Sequence, residues 1–409
     1  MKCGLLGRKL GHSYSPQIHA YLGDYSYELF EKEPEQIGDF LQNGDFTAIN
    51  VTIPYKKDVI PYCAELSETA RRIGAVNTIV RRPDGSLIGH NTDYFGFIST
   101  VERTGLKPAG KKALVIGSGG VSKPAIAALE EIGADVVVIS HKENIPENLV
   151  KHSDAAILVN ATPVGMYPNV GASPVDLDLF PHLEGVLELI YNPARTQLML
   201  DAEQRGLVTA NGLWMLVAQA KEASEWFTGS TISDSVIAPI HRQLRSQMEN
   251  IILIGMPGSG KSTVGSLLAQ QLGHRFVDAD AEIVAATGMP IPEIFAQSGE
   301  AGFRLIETQV LKELGKQSGL VIATGGGCVT RERNYPLLHQ NGTIFCLTRD
   351  LDKLPTSGRP LSQKGSLEEM YRVRKPMYER FADFTADNNG SPEQCAGQIR
   401  NLLDLGGKL

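Results

Sequence analysis

Residues 251–273 read IILIGMPGSGKSTVGSLLAQQLG: an apolar, β-branched run, a glycine-rich turn, and a segment with helical periodicity. Strand, turn and helix in that order make a phosphate cradle, because the N–H groups of the turn and the positive end of the helix dipole converge on one point. The spacing Gly255-x-x-x-x-Gly260-Lys261-Ser262 completes it. Lys261 reaches the terminal phosphates, and the Ser262 hydroxyl is placed to ligate Mg²⁺. Gly258, Ser259 and Thr263 fill out the loop. The stretch predicts a P-loop α/β domain with a parallel sheet.

Outward from it, short runs rich in Val and Ile recur: CGLLG, AINVTI, ALVIG, DVVVIS, AILVNAT, VLELIY, RFVDAD, LVIATGGG and TIFCL. They alternate with helical-length segments, which predicts parallel sheets covered by helices on both faces. A polar helical stretch from His241 to Asn250 marks a seam before the IILIG strand. With 409 residues, 42% hydrophobic and 21% charged, the chain reads as a globular protein of roughly two to four domains. No apolar run approaches the roughly 20 residues of a membrane span. The start, MKCGLLGRKLGHSYSP, has too short an apolar stretch for a secretory signal, so a cytoplasmic protein without a membrane partner is expected. The five cysteines are scattered without C-x-x-C spacing, and are expected to be reduced and mostly buried, with neither disulfides nor zinc. A net charge of -7 argues against a nucleic-acid partner. Anionic ligands must then meet locally gathered positive side chains.

The use made of the triphosphate depends on the sequence beyond the loop. A GTPase would carry N-K-x-D after a later strand, whereas TIFCL is followed by TRDL; a motor ATPase would end a strand in Asp-Glu, whereas LVIA runs into TGGG. Neither switch nor motor is supported. Asp278 and Asp280 instead end the second strand of this half, Gly325, Gly326 and Gly327 end the third, and Arg304 and Arg374 lie on helical segments. Strand carboxyl ends are where open α/β sheets hold ligands. In GEAGFRLIETQVLKEL, an apolar stripe of Phe303, Ile306, Val310, Leu311 and Leu314 puts Arg304 beside the buried face, with Glu300 and Glu307 in pairing range. The set suits a small polyhydroxy acid; the arginine spacing fits a surface salt-bridge cluster equally well.

In the first half, KKALVIGSGGVSKPAIAALEEIG repeats the strand-turn-helix logic with Gly117, Ser118, Gly119 and Gly120. This suits the pyrophosphate of a dinucleotide. The next strand ends in Ser140-His141-Lys142, without the acid that grips an NAD ribose, and therefore favours the 2′-phosphate of NADP. In GHSYSPQIHAYLG, Ser15 stands at a helix N-cap with Pro16 at the first helical position and Ser13 just before. Two hydroxyls there suit a carboxylate; Ser15 alone would be an ordinary cap. INVTIPYK ends a strand at Pro54 and leaves Lys56 near its carboxyl end, and GHNTDYFGF sets Asp93 between an extended and a helical segment. Together they can protonate a carbonyl oxygen as hydride arrives. Singly, each reads as a solvent-facing charge.

After the phosphate loop, FVDADAEI, GFRLIE, TGGG, GRPL and RVRKPMYERFAD follow in an order that resembles shikimate kinase over about residues 249–405. The resemblance implies that Asp280, Arg304, Gly326, Gly327 and Arg374 hold shikimate, that Asp278 helps position Mg²⁺, that Glu307 orients the acidic site, and that Arg359 belongs to a lid closing on ATP. Lys261, Asp280 and Arg359 would be the catalytic groups. One departure is NNGSPEQ at 388–394, where the family often has arginine-rich sequence beside the adenine; the adenine contacts stay open. GHSYSP, NVTIPYK, GAVNT, GHNTD, GSGG, NATPVGMYP, IYNPARTQL and NGLWMLVAQA likewise resemble shikimate dehydrogenase over about residues 1–245. That resemblance implies substrate contacts from Ser13, Ser15, Thr52, Lys56, Asn77, Asp93, Tyr191 and Gln219, with Lys56 and Asp93 also the catalytic pair. It sets Gly117, Gly119 and Gly120 at the pyrophosphate and Thr162, Met166 and Gly212 near the nicotinamide. His141 and Lys142 stand where the family often has an arginine for the 2′-phosphate, and Trp214 would reshape the nicotinamide wall.

The implied architecture is α/β throughout: a substrate-binding domain over 1–103 with about 220–247, a Rossmann-like NADP domain over 104–219, and a P-loop kinase domain over 248–409. The implied activities are NADPH-dependent reduction of 3-dehydroshikimate to shikimate and ATP-dependent phosphorylation of shikimate at its 3-hydroxyl. Quinate is an alternative oxidised substrate. Readings of other classes are a redox sensor that binds NADPH without turnover and a P-loop regulator that transfers no phosphate. The oligomeric state is open.

Overall fold

The computed structural model describes residues 1–11, 13–354 and 367–406. It separates into two compact units, one of Met1–Val164, Ser173–Tyr191 and Asp201–Gln243, the other of Gly165–Ala172, Asn192–Leu200 and Leu244–Leu409. The division falls within the helix Ile237–Met248.

The first unit contains two sheets. One has six strands, β1 (Lys2–Gly7), β2 (Ser26–Glu31), β3 (Ala48–Val51), β4 (Glu65–Leu66), β5 (Thr78–Arg81) and β6 (Leu87–His90), in the order β2-β1-β3-β5-β6-β4. It is not the parallel sheet expected: β5 runs antiparallel to both β3 and β6. The short connection 82–86 between β5 and β6 is hairpin-like, and a hairpin forces antiparallel pairing. Strand β2, SYELFE, is exposed at four of its six positions, as an edge strand can be; that is why it lacks the apolar run that marked the other strands. The second sheet has five parallel strands, β7 (Lys112–Ile116), β8 (Asp135–Ile139), β9 (Ile157–Asn160), β10 (Gly185–Glu188) and β11 (Val208–Ala210), ordered β11-β10-β9-β7-β8. The strand order reverses between β7 and β9, which opens a crevice beyond their carboxyl ends. Gly117, immediately after β7, faces that crevice with φ +106°, and a Cβ there would stand 2.9 Å from the Ala161 carbonyl oxygen.

The second unit is built on five parallel strands: β12 (Asn250–Ile254), β13 (Arg275–Asp278), β14 (Leu320–Ala323), β15 (Gly342–Thr348) and β16 (Phe384–Asp387), ordered β13-β14-β12-β15-β16. Both faces are covered. Ile252, Ile254, Ile322 and Ile344 enter one core, while their neighbours Ile251, Leu253, Val321 and Phe345 enter the other. A strand buried on both sides must be apolar at every position, and this produces the continuous runs IILI and LVIA. Of the five cysteines, all free, four are buried and Cys63 is half-buried. Among the described residues no helix is long and apolar enough to cross a membrane.

Candidate active sites

In the first unit, one cavity of about 470 Å³ gathers Ser13, Ser15, Thr52, Lys56, Asn77, Asp93, Tyr191, Gly212 and Gln219, all expected from sequence. Lys56 leaves the turn after β3, and Asp93 opens the helix Asp93–Thr104. Their side chains meet with Nζ to Oδ2 at 2.6 Å, both mostly buried. A buried amide network holds that helix start: the Thr92 N–H donates to Asn77 Oδ1 at 2.7 Å, Asn77 Nδ2 donates to Thr92 Oγ1 at 3.1 Å, and Thr92 Oγ1 donates to Gln219 Oε1 at 3.2 Å. Strand, helix start and the helix Gly212–Thr228 are thereby locked in one register around the cavity. Gly212 admits no side chain, since a Cβ would stand 2.2 Å from the Leu189 carbonyl oxygen. The Tyr191 ring meets Tyr14 edge-on at 6.2 Å, and burial raises its phenol pKa.

Two expectations need correcting. Tyr14, not Ser15, is the N-cap of the short helix Ser15–His19, and it makes no side-chain cap. The Ser13 hydroxyl accepts the Ser15 N–H at 3.2 Å, and both serines line the cavity. Trp214 faces away from the cavity: its Nε1–H donates to Ser99 at 2.9 Å and Arg103 covers its ring. The helix period carries position 214 away from Gly212, Met215 and Gln219, which line the cavity.

The turn Gly117–Gly120 lies outside that cavity's lining, although the following Val121 belongs to it. A Cβ on Gly119 or Gly120 would meet nothing within 4 Å, so the backbone is open to a pyrophosphate and the turn fits a dinucleotide. Thr162 stands beside Gly117, held by its hydroxyl on Asn160 Oδ1 at 2.7 Å; Asn160 in turn donates to the buried Glu188 at 2.9 Å. His141 and Lys142 are exposed after β8. An acid does follow them: Glu143 accepts the Ser140 N–H at 3.0 Å and hydroxyl at 2.5 Å, and these bonds hold its pKa below the usual range. Met166 is exposed and falls in the second compact unit.

In the second unit a cavity of about 590 Å³ is lined by Gly258, Gly260, Lys261, Ser262, Thr263, Asp278, Asp280, Arg304, Gly326, Gly327 and Arg374. Gly255, Gly258 and Gly260 have φ of 139°, 85° and 95°, the left-handed region that lets the loop wrap a phosphate. Gly255 and Ser259 do not line the cavity. A Cβ on Gly255 would stand 2.5 Å from the Leu347 carbonyl oxygen, and the Ser259 carbonyl accepts from Asn388 at 2.7 Å. These two residues shape the loop from beneath. Lys261 donates to the Gly255 and Met256 carbonyls at 3.0 Å each.

The Ser262 hydroxyl donates to Asp278 Oδ2 at 2.7 Å. A hydroxyl beside a carboxylate is a pair of hard oxygens and fits Mg²⁺, which takes few protein ligands and completes its shell with water and phosphate. Asp278 also caps the helix Ala279–Thr287, so Asp280, expected at a strand end, lies in that helix's first turn. Arg304 pairs deep in the fold with Glu307 at 2.8 Å and reaches the exposed Glu300 at 3.3 Å. Burial pushes the Glu307 carboxyl above its usual range, and the facing guanidinium offsets part of that. A Cβ on Gly327 would stand 2.0 Å from Arg304 Nη2, so only glycine permits this approach. Arg374 donates to the Gly326 carbonyl at 3.1 Å, and the Tyr378 hydroxyl donates to the same oxygen. Arg359 lies outside the described residues.

The sequence reading missed Lys9 and Asn50 in the first cavity and Phe295 and Arg349 in the second. For Asn50 a signal existed. A polar residue within the apolar run AINV must find buried partners, and this one accepts from Tyr27 at 2.8 Å and donates to Thr78 at 3.2 Å.

Both halves of the chain are similar to known proteins. The shikimate dehydrogenase of Caldicellulosiruptor saccharolyticus, described as NADP(+)-dependent, is 32% identical over 280 residues, spanning 60% of this chain and 99% of the relative. The chain belongs to the shikimate dehydrogenase family. The dehydrogenase of Clostridium beijerinckii is 36% identical over 243 residues, 54% of this chain and 90% of its own. The family's substrate-binding domain model matches residues 5–79. Among solved structures, shikimate dehydrogenase 1 of Peptoclostridium difficile superposes with a TM-score of 0.54 at 37% identity, covering 60% of this chain and 98% of that one. The Thermus thermophilus dehydrogenase, solved with NADP(H) and shikimate, gives 0.53 at 31% identity over 59% and 99%. Beyond the dehydrogenase region, residues 257–404 match the shikimate kinase family model. The chain joins shikimate dehydrogenase and shikimate kinase domains.

Proposed function

We propose that this chain catalyses two successive reactions, reduction of 3-dehydroshikimate to shikimate in its first unit and phosphorylation of shikimate at the 3-hydroxyl in its second. NADPH, when bound, supplies the hydride for the first reaction, and ATP with Mg²⁺ supplies the phosphoryl group for the second. In the dehydrogenase, the Ser13 and Ser15 hydroxyls hold the ring carboxylate while Thr52, Asn77, Tyr191 and Gln219 fix the ring. Lys56 gives its proton to the carbonyl oxygen as that oxygen becomes a hydroxyl, and Asp93 orients Lys56 and the neighbouring ring hydroxyl. Gly117, Ser118, Gly119 and Gly120 take the pyrophosphate, His141 and Lys142 the 2′-phosphate, and Thr162 and Gly212 the nicotinamide end.

In the kinase, Arg304 and Arg374 take the carboxylate, Gly326 and Gly327 let the ring approach the backbone, and Asp280 accepts the 3-hydroxyl proton. Lys261 neutralises charge on the transferred group, which is most of what phosphoryl transfer asks of a protein. Arg359 would add a further cation at the ATP, and Ser262 and Asp278 would supply the protein oxygens for Mg²⁺.

The observation that carries this reading is that the phosphate loop, Asp280 and both arginines line a single cavity, of a size ordinary for small-molecule sites. The domain division follows the same logic: sheets β1–β6 and β7–β11 serve substrate and dinucleotide, and β12–β16 serve the kinase. A cytoplasmic location belongs to the proposal and is supported by the five unpaired thiols. Incubation of the purified chain with shikimate, ATP and Mg²⁺ should yield shikimate 3-phosphate by mass spectrometry; its absence would contradict the kinase assignment. Repeating the reduction with NADH in place of NADPH tests His141 and Lys142, since a preference of less than about tenfold is at odds with their role.

A further inference from the structure

The loop between β1 and the helix Ser15–His19 carries two adjacent cations with different fates. Arg8 turns outward to Glu33, with Nε at 2.9 Å and Nη2 at 2.8 Å. Lys9 lines the dehydrogenase cavity, is exposed, and makes no ion pair with any described residue. The other charged residues lining that cavity are Lys56 and Asp93, which cancel each other at 2.6 Å. Among the described residues Lys9 is therefore the uncompensated charge of the lining, in a chain whose net charge is -7. Glu31, on the neighbouring strand, lies outside the lining and accepts the Leu10 N–H at 2.6 Å.

A neutral pair of serine hydroxyls provides donors for a carboxylate but no charge to draw it from water. We propose that Lys9 is a binding residue for the ring carboxylate of the dehydrogenase substrate, supplying the field that steers the anion in and the positive charge it meets there. The carboxylate is favoured over the cofactor phosphates because Lys9 shares its loop and its cavity with Ser13 and Ser15, whereas Gly117–Gly120 lie outside that lining. A lysine suits this place: its ammonium is a flexible point charge that keeps its hydration until the ligand arrives.

The inference rests on the proposed dehydrogenase reaction, and the test separates the two. Steady-state kinetics are measured on wild type, Lys9→Met and Lys9→Arg, with 3-dehydroshikimate and NADPH at about 20 and 300 mM salt. Lys9→Met should raise the KM for 3-dehydroshikimate roughly three- to tenfold at low salt with kcat unchanged. It should also flatten the salt dependence of kcat/KM, and Lys9→Arg should retain both. A Lys9→Met enzyme with unchanged KM and salt dependence overturns the proposal while leaving the reaction standing. A raised KM for NADPH alone overturns it in favour of a cofactor contact. A wild type that does not turn over 3-dehydroshikimate overturns the reaction and this inference together.

Discussion

Lys56 Nζ donates to Asp93 Oδ2 at 2.6 Å, although 37 residues separate the two in the chain. One leaves a strand end and the other opens a helix, and the pair closes only because the Asn77–Thr92 bonds fix that helix start. If Lys56 is the proton donor, Lys56→Ala should lower kcat for 3-dehydroshikimate reduction by roughly 10²- to 10⁴-fold. Shikimate binding by calorimetry should hardly change, because the serines and Asn77 remain. An unaltered kcat removes Lys56 from the mechanism.

Much of this was legible beforehand, for a physical reason. Both phosphate-binding turns are local: glycine spacing, preceding strand and following helix are contiguous in sequence, so their geometry follows from a short stretch. Strands buried on both faces announce themselves as apolar runs, as β12 and β14 do. What stayed hidden depends on distant partners. The antiparallel β5 and β6 are short, and β2 is an edge with little to bury. Trp214 is turned outward by the helix period, and Lys9 has meaning only once the cavity shows that Lys56 is already neutralised.

Arg374 donates to the Gly326 carbonyl at the floor of the kinase cavity. Removing a buried charged partner costs about 2–5 kcal/mol. Arg374→Ala should therefore weaken shikimate binding to the kinase roughly thirty- to four-thousandfold while ATP binding stays within about threefold. Titration calorimetry with each ligand checks this, and equal weakening of both contradicts the assignment.

Asp278 has two jobs that substitution can separate. Asparagine keeps a cap for the helix Ala279–Thr287 but loses the charge beside Ser262. Asp278→Asn should raise the Mg²⁺ concentration for half-maximal kinase activity roughly ten- to hundredfold with little loss of stability. Asp278→Ala should show the same metal effect and in addition lose about 1 kcal/mol in urea denaturation. Mg²⁺ dependence unchanged in both variants would remove Asp278 from the metal site.

His19 is buried between Tyr27 and Phe227, with Nδ1 2.7 Å from the Tyr25 hydroxyl. Burial pushes its pKa down to about 3 from an ordinary 6.5. Below pH 6.5 the unfolded chain gains a proton that the folded chain refuses. Stability contributed above that pH is thus lost progressively as pH falls toward 3, at up to about 1.4 kcal/mol per pH unit. Both tryptophans, Trp214 and Trp226, lie in the first unit, so their fluorescence reports its unfolding. The stability gap between wild type and His19→Gln should shrink from pH 7 to pH 5. A gap that is the same at both values contradicts the buried neutral imidazole.

The most direct measurement supplies 3-dehydroshikimate, NADPH, Mg²⁺ and ATP together to the purified chain, following NADPH absorbance and shikimate 3-phosphate by mass spectrometry. One shikimate 3-phosphate should form for each NADPH consumed once shikimate reaches its steady level. Omitting ATP should leave free shikimate as the product, and Arg374→Ala should do the same. NADPH loss with no phosphorylated product from the wild type, or no NADPH loss at all, would contradict the claim that the two cavities act on the same ring acid.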